Sequence, residues 1–308
     1  MNGFPEGVID INKFDFLISG QVKEFIIWIE KILDTPGSFY HHYTMKKPAV
    51  DWSCGSIYSA FENYNWKFRS TDPESGNKVT GSSFTESIKL FSKLYRLLDR
   101  SLEAEDSEKC IECCLSILEW GGVISKNDKK VKGLGNDICK YLIKVRSQIN
   151  DDNFCVENSD EFIIMNSGFA KIYSLLIEDF IIYDGRVGAA LGLLVRKYCE
   201  DNELDKVPCE LEFAWGRGKE TTYITSQCNK RNPSSEKYKF PELLSNPKRH
   251  LENNLRANWL LKEIIDTTHS KFNMLDKRIQ LRALEAALFM IGYDVNQPVP
   301  YSANLDNW

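Results

Sequence analysis

The sequence has no run of about eighteen apolar residues, the length at which a membrane-crossing helix becomes a candidate, so no bilayer span is expected. Its first twenty residues hold Asp10, Asp15 and a turn at Pro5 instead of a basic start followed by an apolar stretch. A secretory signal is therefore not expected either. Positive charge is not in excess: 39 Lys and Arg stand against 44 Asp and Glu, a formal net charge of -5. The molecule as a whole is thus no polycation for nucleic acid, although a local basic face is still allowed. Histidine is scarce, with four in the chain. His41 and His42 are adjacent, and on a strand they point to opposite sides, which is poor geometry for a shared metal. Serine-elbow and kinase signatures are missing. Internal repeats and low-complexity tracts are missing too.

The cysteines number nine, an odd count that does not read as a disulfide framework. Most lie in apolar-periodic stretches, where a thiol behaves as a small hydrophobe. Cys110 and Cys113 form a C-x-x-C beside Cys114, but no second pair and no nearby histidine completes a zinc set. Shared helix faces explain the spacing. A reducing compartment, and hence a cytoplasmic protein without metal or cofactor, is the expectation.

At 308 residues, 43% of them hydrophobic, the chain suits one large domain or two tightly joined ones. Helical periodicity covers 21–34, 84–102, 107–119, 134–148, two short stretches within 159–178, then 185–200, 251–268 and 277–292. The aromatic, Gly- and Ser-rich stretch 36–83 reads as an irregular insert with a short strand or two. Residues 201–250 read as loops. The expected fold class is mostly α. Its expected divisions are an N-terminal helical region with an irregular insert (1–106), a central helical core (107–200), and a loop-rich segment with C-terminal helices packing on that core (201–308).

The most informative stretch is NSGFAKIYSLLIEDFIIYDGRVGAALGLLVRKY, from Asn166 to Tyr198. A Gly-containing hairpin leads into a helix, then an apolar run, then Asp184 at the N-cap of an amphipathic helix. Cleaving an N-glycosidic bond builds positive charge on the sugar, and a fixed carboxylate stabilises it. The same carboxylate activates a water or an amine as nucleophile. This arrangement resembles the helix-hairpin-helix DNA glycosylases, in particular their 8-oxoguanine glycosylase-like branch. The resemblance is strong over about 35 residues and loose, by helix order, over 107–200. Phe180-Ile181-Ile182-Tyr183-Asp184-Gly185-Arg186-Val187 matches the tail that carries the family's catalytic aspartate. Lys171 lies near the place where bifunctional members keep a nucleophilic lysine. The hairpin has one glycine where the family usually shows two, and the spacing from Lys171 to Asp184 is shorter.

The resemblance implies a helix-hairpin-helix glycosylase-like fold with irregular inserts. It also implies an N-glycosylase or glycosylase/lyase that removes a purine such as 8-oxoguanine after flipping it out of a duplex. The alternative is an inactive nucleic-acid- or nucleotide-binding module in a bacterial antiphage system. A structural helical partner is a third reading. Nucleic-acid contacts are expected from the Ser167-Gly168 hairpin through backbone N–H groups, and from Arg186. They are also expected from Lys129, Lys130 and Lys132 in a locally basic stretch, with DNA preferred over RNA. The interleaved Trp215, Arg217 and Lys219 suit base stacking and phosphate contact. Trp215-Gly216-Arg217-Gly218-Lys219 lacks the spacing and the Ser/Thr of a Walker loop. The same residues admit plainer uses: Asp184 as a helix cap, Lys171 and the basic stretch as solvated helix faces, and 214–231 as an exposed loop.

Overall fold

The computed structural model describes residues 12–46, 49–151, 154, 156, 163–218 and 230–296. Two short helices, α1 (Lys13–Ile18) and α2 (Gly20–Glu30), open it. The stretch 36–83 is more ordered than the insert expected from sequence. It forms an antiparallel hairpin of β1 (His41–Lys46) and β2 (Ala49–Cys54), a helix α3 (Ile57–Glu62), and a second hairpin of β3 (Phe68–Thr71) and β4 (Lys78–Gly81). Period-two alternation is the reason: His41 and Tyr43 turn inward while His42 and Thr44 turn out. Tyr43 stacks on its cross-strand partner Trp52 at 4.7 Å between ring centroids.

The helices that follow start where short polar residues can cap them. α4 (Phe84–Glu103) begins with a Ser83–Glu86 capping box, and α5 (Ser107–Trp120) begins with Asp106. α6 (Asn127–Leu134) is a helix not expected from sequence, and α7 (Ile138–Ile149), parted from it after Gly135 at φ 51°, is the helix expected over 134–148, starting four residues later. α8 (Phe169–Leu176) and α9 (Gly185–Asp201) flank an extended linker. α10 (Pro247–Thr267) has Asn246 as cap and proline in its first turn, and α11 (Lys277–Ile291) is capped by Asp276. The helical stretch expected just before the hairpin lies partly outside the described residues, and 163–165 are not helical.

Two apolar cores run across the linear division expected from sequence. The first joins Phe25 and Ile29 of α2, Tyr43 and Trp52 of the hairpin, Ile57 of α3, Leu191 and Leu194 of α9, Leu261 of α10 and Leu288 of α11. The second joins Leu94 and Leu98 of α4, Cys110, Cys113, Cys114 and Ile117 of α5, Leu142 of α7, and Ile172 and Tyr173 of α8. Those thiols are fully buried on one helix face. α10 spans both, giving Leu251 and Leu255 to the second core and Leu260 onward to the first. Among the described residues no helix is long and apolar enough to cross a membrane, and no cluster of metal-ligating side chains occurs.

Candidate functional site

Asp184 is the N-cap of α9, extended at φ -128°. Its Oδ1 accepts the N–H groups of Arg186 at 2.8 Å and Val187 at 3.2 Å. Its Oδ2 lies 3.9 Å from Lys171 Nζ. Lys171, in the first turn of α8, also donates to the Ser167 carbonyl at 2.9 Å. The two side chains are only 6% and 16% exposed. They meet where the two cores meet, since α8 packs in the second and α9 in the first.

Burial pushes the Lys171 amine below its ordinary range, against the pull of Asp184 and Glu285. For Asp184, burial acts to raise the carboxyl, but the nearby charges of Lys171, Arg186 and Arg231 outweigh it and hold the group below the usual carboxylate range. Both groups are thus drawn downward, the amine by burial and the carboxyl by its cationic neighbours. Gly121, at the end of α5, lets the lysine stem through: a Cβ there would sit 2.3 Å from Lys171 Cδ.

The apolar run before Asp184 is a buried linker and not a helix, and Phe180, Ile181, Ile182 and Tyr183 are all within the cores. Its peptide groups cannot reach water, so side chains from distant helices satisfy them. Asn258 Oδ1 accepts from Ile181 N–H at 2.8 Å, and Asn254 Nδ2 donates to the Ile181 carbonyl at 3.2 Å. Glu285 Oε2 accepts from Ile182 N–H at 2.8 Å. His250 Nε2 donates to the Tyr183 carbonyl at 2.8 Å, and burial drops the imidazole to about 4. Tyr183 O–H donates to the Ala214 carbonyl, whose own N–H bonds Asn253 Oδ1. Sequence reading missed this set. Its signal is polar residues at positions 250, 253, 254 and 258 of one helix, the spacing of a single face.

Lys171 and Asp184 line one small cavity of about 30 Å³, room for about one water, with Phe91, Trp120, Ile182, Glu285 and Phe289. Its walls are mostly apolar and aromatic. The Trp120 indole N–H is buried without a partner. Burial raises the Glu285 carboxyl, with Arg282 opposing.

The remaining sequence candidates are dispersed. Arg186 is near the pair, its guanidinium over the rings of Phe289 at 4.3 Å, Tyr293 at 5.0 Å and Trp66 at 5.3 Å. The 166–168 turn is built differently from expectation. Asn166 Oδ1 takes the N–H groups of Gly168 at 2.7 Å and Phe169 at 3.1 Å, so these donors are not waiting for a phosphate. Ser167 instead offers its carbonyl to Lys171. Asn166 Nδ2 donates to Asn127 Oδ1 of α6, which brings the exposed Lys129, Lys130 and Lys132 beside the turn. Trp215 is 5% exposed, and its indole donates to the Phe240 carbonyl at 3.3 Å, so it is a core residue and not a stacking platform. Its apolar neighbours Phe213 and Ala214 carry it inward. Arg217 is exposed but makes a forked pair with Glu242 at 2.6 and 3.0 Å. Lys219 lies outside the described residues.

No family model, curated protein or solved structure matches the chain.

Proposed function

We propose that the chain is an N-glycosylase-like protein, acting as a glycosylase or glycosylase/lyase on a purine such as 8-oxoguanine in nucleic acid, with a helix-hairpin-helix glycosylase-like fold. One observation carries this reading: Lys171 Nζ and Asp184 Oδ2 lie 3.9 Å apart at one small, largely apolar cavity. Nucleophilic catalysis by lysine needs a neutral amine, and burial favours that form here. The amine attacks C1′ of the sugar as the C1′–N bond to the base breaks and its electron pair leaves with the base, which takes up a proton. Asp184, ionised and fixed by two backbone N–H groups, stabilises the positive charge on the sugar. Loss of the ring oxygen from C1′ then leaves a Schiff base on Lys171. The cavity has room for about one water, so a purine enters only once the walls part, and those walls then offer aromatic faces to a flat base.

The test is covalent trapping. Incubation with duplexes carrying 8-oxoguanine, with borohydride present, is expected to give a protein–DNA adduct that Lys171→Gln does not form. No adduct with damaged or undamaged purines, in DNA or RNA, would sink the lyase reading, and no base release would sink the glycosylase reading as well.

The second reading, an inactive nucleic-acid-binding module, is favoured by the exposed lysines of α6 beside the 166–168 turn. It expects salt-dependent retention of nucleic acid with neither adduct nor base release.

A further inference from the structure

The amine and the carboxylate belong to different cores, so something must set their separation. The side-chain bonds of α10 reach the linker: Asn258 and Asn254 at Ile181, His250 at Tyr183. Those of Arg282, on α11, reach both the linker and the helix that carries Lys171. Its Nη2 donates to the Ser174 carbonyl of α8 at 2.8 Å and to the Phe180 carbonyl of the linker at 3.2 Å. Its Nη1 donates to Glu285 Oε2, the atom that also accepts Ile182 N–H two residues before Asp184. Ser174 in turn donates its hydroxyl to the Lys171 carbonyl at 2.9 Å. Arg282 and Glu285 are 17% and 8% exposed in their side chains, so these bonds face little competition from water.

We propose that Arg282 and Glu285 are positioning residues: they fasten α8 and the linker to one rigid helix and so hold the Lys171 amine and the Asp184 carboxylate at their working separation. As a statement about catalysis this rests on the glycosylase reading. As a statement about the amine it does not, because Lys171 senses its distance from Asp184 whatever the substrate.

Removing one partner of a buried ion pair strands the other, so truncation to alanine confounds folding with function. Arg282→Lys is the informative variant. It keeps the charge but loses the planar fork that spans two carbonyls and a carboxylate. The probe is the side-chain nitrogen resonance of Lys171 in protein labelled with ¹⁵N-lysine, assigned through its loss in Lys171→Met. The expected result is a folded protein in which Lys171 titrates lower by roughly half a unit or more, as its carboxylate moves away. Adduct formation at saturating 8-oxoguanine duplex should fall about tenfold or more, with the half-saturating concentration little changed. A folded Arg282→Lys with unchanged Lys171 titration and unchanged trapping rate overturns the proposal and leaves the pair a structural one. Should Arg282→Lys not fold, Arg282→Gln with Glu285→Gln removes both charges together and is read by the same criteria. If the wild type traps nothing but Lys171 still titrates lower in the variant, the positioning role stands and the glycosylase reading falls.

Discussion

Asp184 uses its two oxygens for different purposes. Oδ1 caps α9 through two N–H groups, while Oδ2 faces the amine. Substitution separates the two roles. Asparagine can still cap α9, but it strands the buried Lys171 amine without its carboxylate, so Asp184→Asn should cost more than the ~1 kcal/mol of a cap, up to about 3–5 kcal/mol in urea unfolding. On the proposed glycosylase reading the substitution also removes the negative charge beside the sugar, so base release should slow by roughly 10²–10³-fold. Unaltered release would reduce Asp184 to a cap. Gly121 gives a second residue-level test. A methyl group there would sit 2.3 Å from Lys171 Cδ and 2.5 Å from its Cε, so the stem must shift. Gly121→Ala should therefore cost about 1–3 kcal/mol as an overpacking change and displace the amine. Trapping that stays at the wild-type rate in a folded Gly121→Ala would show that the stem has room to spare.

Among the elements, α6 is where the proposed contact with nucleic acid can be tested. Lys129, Lys130 and Lys132 are free to meet phosphates, and each contact releases counterions. Replacing all three with glutamine should flatten the dependence of log affinity on log salt by roughly three units at most. A slope that does not change would place the nucleic acid elsewhere, and no retention at low salt would remove it altogether. How far such elements can be read from sequence depends on the range of the physics. The cap at Asp184 was legible because a capping residue and an apolar helical stripe lie within one turn of each other. The short spacing from the hairpin to Lys171 was legible for the same reason. The linker's partners were not: His250 lies 67 residues from Tyr183, and Glu285 lies 103 from Ile182. Nothing local to His250, Asn253, Asn254 and Asn258 shows that they serve buried peptide groups. Trp215 misled in another way. Its basic neighbours suggested a surface, but Phe213 and Ala214 draw it into the core.

At the scale of the whole molecule, two buried histidines tie the parts together and make the fold sensitive to acid. His250 holds the linker between the cores, and His41, from the first hairpin, bonds the Ile291 carbonyl at the end of α11 at 3.1 Å. Burial pushes each down from 6.5 to about 4. The unfolded chain therefore takes up two protons as pH falls through 6.5, while the folded chain refuses them until about 4. More protons bound in the unfolded state means stability that falls with pH, by ~1.4 kcal/mol per unit for each histidine once both are in that window. Glu285 acts the other way, since burial raises its carboxyl and favours the fold on the acid side. One carboxyl against two imidazoles weakens the slope between 6.5 and 4.5 without reversing it, because at most one proton held by the fold opposes two taken up by the unfolded chain. Over those two pH units the histidines alone can remove roughly 5 kcal/mol, a large share of a typical domain's stability. Urea midpoints taken at pH 7.5, 6.5, 5.5 and 4.5 should thus hold between the first two and then drop steeply. His250→Gln, whose amide can still donate to the Tyr183 carbonyl, should unfold more readily at pH 7.5 yet lose about half of the acid dependence. A midpoint that stays level down to pH 4.5 would mean that neither imidazole is held neutral, and that the linker before Asp184 is not kept dry by the helices around it.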